Sequence, residues 1–251
     1  MADFRPARLS ALRDALARAD IDGLLVSSLP NVRYLTGFSG SNAQLLVTAR
    51  RCVLFTDFRY ATQVEQEVTT AATIRIEPTS LWTGLWAVLG AMPGGERVGF
   101  ESAHLLHRDF QRLLESGSRC QWRPMLELVE ALRVRKDPGE IACIERAIGI
   151  AERALSATLP RIRPGLTEKQ VAGILEHCLR DEGSEDFPFA SIVAGGPQSA
   201  LPHAHTGDRA LARGDLVLVD FGAVNNGYCS DITRTFVLGV ATAEQREIYE
   251  V

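Results

Sequence analysis

Apolar residues at Leu9, Leu12 and Leu16 recur at helical spacing and predict a helix over 6–19. A nearly unbroken apolar run follows at 23–28, as expected of a buried strand. Further short apolar runs predict strands at 43–47, 52–55, 74–76 and 97–100. Helical patterning separates them at 60–68, 81–89 and 108–114. Trp82 and Trp86 are four apart, so they share one helix face and read as core. Strands alternating with helices predict an α/β unit.

The pattern changes where charges cluster at 132–137, which divides the chain into domains 1–132 and 133–251. Asp137, Pro138 and Glu140 form a helix start, with Pro at the first helical position. The helix is expected to reach about residue 159, with Ile141, Ile144, Ala147, Ile148 and Ala151 as its apolar stripe. Thr167 and Gln170 make a capping box for a second helix ending near Glu182. Strands are expected at 189–194, 216–223 and 228–238. A second capping box, Thr242 with Gln245, announces a helix from Ala243. Nine residues remain from there to Val251, so the chain is expected to stop short of a complete domain.

Two aspartates carry the candidate chemistry. Asp220 follows four apolar residues, and Asp231 lies in the returning strand, where Asp is disfavoured. Asn225-Asn226-Gly227 between them signals a hairpin. A turn centred on Asn225-Asn226 would place the aspartates directly opposite each other. One centred on Asn226-Gly227 would make them diagonal neighbours. Both put two carboxylates on one face, about 4.5–8 Å apart. Like charges that close among apolar residues need a cation between them, and a divalent metal is the simplest candidate.

Composition narrows the function. Net charge is −4, with no basic stripe for nucleic acid. No apolar run has membrane length, and no signal-peptide pattern opens the chain. Five scattered cysteines, none in a Cys-x-x-Cys pair, read as reduced thiols and a cytoplasmic location.

Val219-Asp220-Phe221-Gly222 with Ser230-Asp231-Ile232-Thr233-Arg234-Thr235-Phe236 resembles the metal-binding hairpin of the Xaa-Pro aminopeptidases and Xaa-Pro dipeptidases (prolidases), which share the pita-bread metallopeptidase fold. Ala200-Leu201-Pro202-His203, Leu132-Arg133-Val134-Arg135-Lys136-Asp137-Pro138 and the stretch from Asn31 to Ser41 resemble other parts of that family, as does Thr56-Asp57-Phe58-Arg59-Tyr60. The resemblance implies an α/β creatinase-like N-terminal domain and an α+β pita-bread catalytic domain, the latter incomplete.

It further implies cleavage of the peptide bond preceding proline, in a peptide or dipeptide substrate. It implies two divalent ions, manganese first and cobalt or zinc as alternatives, with Asp220 and Asp231 as metal ligands. His203 would stabilise the developing oxyanion, and the protein would be a homodimer. Three further ligands of the family, a His and two Glu, come from later strands. The chain as given is therefore expected to hydrolyse little. Rival expectations are a non-catalytic pita-bread interaction module and a relative of creatinase or methionine aminopeptidase. Thr233 shares the Asp231 face; contact with metal-bound solvent and plain β-propensity are its two readings, the second favoured slightly. His205 is a possible outer neighbour of the site.

Overall fold

A computed structural model describes residues 3–68, 72–115 and 119–250, which form two compact units, Met1–Asp137 and Pro138–Val251. Val251 itself, the last residue of the terminal helix pattern, lies outside the described residues.

The first unit is built on a six-stranded sheet in the order β4-β3-β2-β1-β5-β6. The strands are β1 (Gly23–Val26), β2 (Ala43–Thr48), β3 (Cys52–Asp57), β4 (Thr73–Glu77), β5 (Arg97–Glu101) and β6 (Gln121–Met125). β2 runs antiparallel to both β1 and β3, and every other neighbouring pair is parallel. The helices are α1 (Arg5–Arg18), α2 (Leu29–Thr36), α3 (Ala61–Glu67), α4 (Leu81–Gly90), α5 (His107–Glu115) and α6 (Leu128–Arg133). Leu9, Leu12 and Leu16 of α1 are buried against β1 and β2, as their spacing predicts. α2 and β6 were not evident in the sequence. α2 ends at Gly37, whose φ of +87° is the left-handed C-terminal cap that favours glycine.

The second unit pairs two helices with a small antiparallel sheet. α7 (Pro138–Thr158) and α8 (Glu168–Asp181) cover β7 (Ile192–Gly195), β8 (Leu216–Phe221) and β11 (Ile232–Val237), ordered β11-β8-β7. A short ribbon of β9 (Val224–Asn225) and β10 (Tyr228–Cys229) extends the β8–β11 hairpin, and α9 (Ala243–Glu250) follows. Both capping boxes form. Thr167 and Gln170 bond reciprocally at α8, as do Thr242 and Gln245 at α9.

One face of β8, formed by Val217, Val219 and Phe221, enters the core with Ala151 and Ala154 of α7 and Leu175 and Leu179 of α8. The expected α7 stripe is only partly right. Ala147 and Ala151 are buried, but Ile141 is 46% and Ile148 37% exposed. The buried line runs instead through Cys143, Ala147, Ile150, Ala151 and Ala154. Small side chains let the helix lie close to the β9–β10 ribbon, an approach that a row of isoleucines would block.

Candidate metal-binding hairpin

The hairpin register is decided at Asn226-Gly227. Both residues have positive φ, +50° and +74°, the type I′ arrangement that suits strand twist. Glu185 fastens the turn by accepting from the Asn226 N–H at 2.5 Å and the Gly227 N–H at 3.1 Å, one per carboxylate oxygen. From this turn one unbroken register runs through Asn225–Tyr228, Val224–Cys229, Phe221–Ile232 and Asp220–Thr233. Between these pairs, the Ser230 N–H donates to the Ala223 carbonyl at 2.9 Å.

Asp231 thus stands opposite Gly222, and Asp220 opposite Thr233. The aspartates are diagonal neighbours on the face away from the helices, for which a spacing of about 7–8 Å is typical. Asp231 sits just before β11 rather than inside it, at a break in the ladder. Ser230 secures that break: its hydroxyl accepts from the Ala223 N–H at 3.0 Å and donates to the Ala147 carbonyl at 3.2 Å.

Asp220 is half-buried and Asp231 exposed. Thr233 donates its hydroxyl to Asp220 Oδ1 at 3.0 Å, so the threonine does more than favour a strand. Two carboxylates with a hydroxyl beside them form a hard-oxygen set, which fits part of the shell of manganese or a similar divalent ion. Among the described residues no third His, Cys, Asp or Glu joins them to complete a ligand cluster. Cys229, next to Ser230, is exposed as a residue, and the part of its thiol that is desolvated pushes its pKa up.

His203 lies on an exposed turn after the 3-10 helix Gly196–Ala200, and His205 is exposed two residues on. The loop that carries them is fastened by a residue the sequence reading did not single out. Glu168, fully buried at the first position of α8, accepts from the Gly195 N–H and the Gly207 N–H, each at 2.9 Å. One carboxylate therefore ties both feet of the segment. Thr206 adds a second tie: its hydroxyl accepts from the Val193 N–H at 2.8 Å and donates to the Ser191 carbonyl at 3.1 Å. Arg209 forms a bidentate pair with Asp215 at 2.7 and 3.1 Å. The guanidinium holds the Asp215 carboxyl below the usual carboxylate range; burial opposes this, and the Ala212 N–H adds to it. In sequence, Glu168 looks like any acid in a helix's first turn, favourable to the dipole.

Residues 142–251 match the model of metallopeptidase family M24, and residues 8–135 match the creatinase/prolidase N-terminal domain. The peptidase YqhT of Bacillus subtilis is 36% identical over 97% of this chain and 69% of its own length. The chain belongs to the M24 metallopeptidase family. Its fold is the creatinase N-terminal domain followed by the M24 pita-bread domain. The Xaa-Pro dipeptidase structure from Bacillus anthracis matches with a TM-score of 0.91 at 32% identity, covering 98% of this chain and 68% of that one. The X-Pro aminopeptidase structure from Thermotoga maritima matches with a TM-score of 0.88 at 32% identity, covering 94% and 68%. No helix among the described residues of this M24 member is long and apolar enough to cross a membrane.

Proposed function

We propose that the chain belongs to a hydrolase that cleaves the peptide bond preceding proline, with Asp220 and Asp231 as ligands of divalent ions, manganese foremost. The observation that carries this reading is the placement of the two carboxylates. They are diagonal on one face of an unbroken register, with Asp220 oriented by the Thr233 hydroxyl. The proline specificity comes from the relatives, named as an Xaa-Pro dipeptidase and an X-Pro aminopeptidase. When bound, such ions supply Lewis acidity for hydrolysis. Asp220 and Asp231 would hold such ions through their carboxylate oxygens. His203, on its exposed turn, offers a ring N–H to the oxygen of the scissile carbonyl as charge develops there. The Glu168 tie limits how far that turn can stray.

Calorimetric titration with Mn²⁺ tests the reading. Binding to the wild-type chain is expected to vanish in the Asp220→Asn, Asp231→Asn double variant, and retention of binding would refute the assignment.

A further inference from the structure

The two aspartates of the hairpin are held in different ways. Asp220 lies inside β8 and is paired on both sides, with Thr233 of β11 and Ile192 of β7. Asp231 lies between β10, which ends at Cys229, and β11, which begins at Ile232. Gly222 and Ala223, across from residues 231 and 230, likewise belong to no strand. A strand ladder fixes the face to which each side chain points. At residues 230 and 231 that ladder is interrupted, so the direction of Asp231 needs another support.

That support comes from α7. Tyr228 donates its hydroxyl to Glu140 Oε1 at 2.9 Å, and Ser230 donates to the Ala147 carbonyl at 3.2 Å. Positions 140 and 147 are two helical turns apart, so they lie on one side of α7, and both residues are buried. Ile232, next in the alternation, packs against the core that α7, α8 and β8 share. Residues 228, 230 and 232 thus seat on the helix side. Cys229 and Asp231, between them, are turned to the open face, where both are exposed. Ser230 is the anchor inside the interruption itself. Its hydroxyl also accepts from the Ala223 N–H at 3.0 Å, so one side chain joins both arms of the hairpin to the helix beside Asp231. At 3% exposure it cannot trade these bonds for water.

We propose that Ser230 is a positioning residue for the metal site. Its hydroxyl, bridging Ala223 and Ala147, holds the backbone at Asp231 so that the carboxylate stays on the face it shares with Asp220. This rests on the reading of Asp231 as a metal ligand. It adds that the aim of that ligand is set from α7, by a side chain that itself touches no ion. Loss of such outer support costs roughly 10–100-fold in metal affinity.

Ser230→Ala removes the hydroxyl and adds no bulk. Calorimetry should show Mn²⁺ binding weakened by about tenfold. Ser230→Cys, near serine in size but a weak donor, should move affinity the same way and serves if the alanine variant does not fold. Ser230→Thr keeps a donor and an acceptor and should recover most of the affinity. Thr158→Val controls for a merely structural loss. Thr158 is a fully buried hydroxyl further along α7, donating to the Ala154 carbonyl at 2.7 Å. Its removal should lower resistance to urea and leave Mn²⁺ affinity unchanged. A metal-free readout is the three-bond HN–Hα coupling of Asp231 in protein labelled with ¹⁵N-aspartate, which reports the backbone directly. It should move toward the average of a flexible chain in Ser230→Ala and stay put in Thr158→Val. Wild-type affinity or an unchanged Asp231 coupling in Ser230→Ala would overturn the proposal, as would an equal loss of affinity in Thr158→Val. Failure of the wild type to bind Mn²⁺, or binding that persists in the Asp220→Asn, Asp231→Asn protein, would instead refute the metal reading and remove the proposal with it.

Discussion

The Thr233 hydroxyl donates to Asp220 Oδ1 across a rung of the β8–β11 ladder, at 3.0 Å. It fixes one lone-pair direction of that carboxylate and leaves Oδ2 toward solvent or an ion. Partners of this kind orient ligating carboxylates, and their loss costs roughly 10–100-fold in metal affinity. Thr233→Val is expected to weaken Mn²⁺ binding by about tenfold, and Thr233→Ser to restore most of it. Calorimetry on both variants checks this, and equal affinity in the valine variant would remove Thr233 from the site.

Gly222 meets the partner strand at the break beside Asp231. A Cβ there would run into the Ser230 carbonyl oxygen and lie 2.5 Å from Pro188 Cγ. Neither neighbour is the free end of a flexible chain. Gly222→Ala should therefore destabilise the second unit by about 2–4 kcal/mol, through forced displacement of the hairpin. Urea unfolding monitored by circular dichroism measures this. A change within about 0.5 kcal/mol would show that the strands part without cost.

Asp215 ties stability to pH. Its carboxyl is held below the usual range, first by Arg209. A carboxyl with a lowered folded-state pKa stabilises the fold above its unfolded value of about 3.9, and the contribution fades as pH falls through the lower folded value. Asp215→Asn should cost about 1–2 kcal/mol at neutral pH, since it also leaves Arg209 half-paired. It should flatten the fall in stability below about pH 4 and leave the slope between pH 6 and 8 unchanged. Unfolding free energies across the acid range decide it.

Much of this molecule was legible in its residues, and the failures have physical causes. The two capping boxes announced α8 and α9 because reciprocal bonds at fixed spacing are a local matter. The aspartate hairpin was legible to within one choice of turn. That choice fell to Asn226-Gly227, where backbone preference and the Glu185 contacts agree, and no local signal named Glu185. α2 was not evident because it is only eight residues long and starts at Ser28 without a side-chain cap. β6 escaped because it is an edge strand with Pro124 inside it and mostly exposed side chains. The α7 stripe departs from the line of isoleucines because close packing there favours the small side chains Cys143, Ala147, Ala151 and Ala154.

The Glu168 carboxylate joins Gly195 to Gly207 through two backbone bonds. The stretch between them is thereby a closed excursion whose ends meet whatever it contains. Lengthening such an excursion adds entropy cost only logarithmically, about 0.6 kcal/mol per doubling. The segment can therefore change in length at small entropic cost while both of its ends stay fastened to the start of α8.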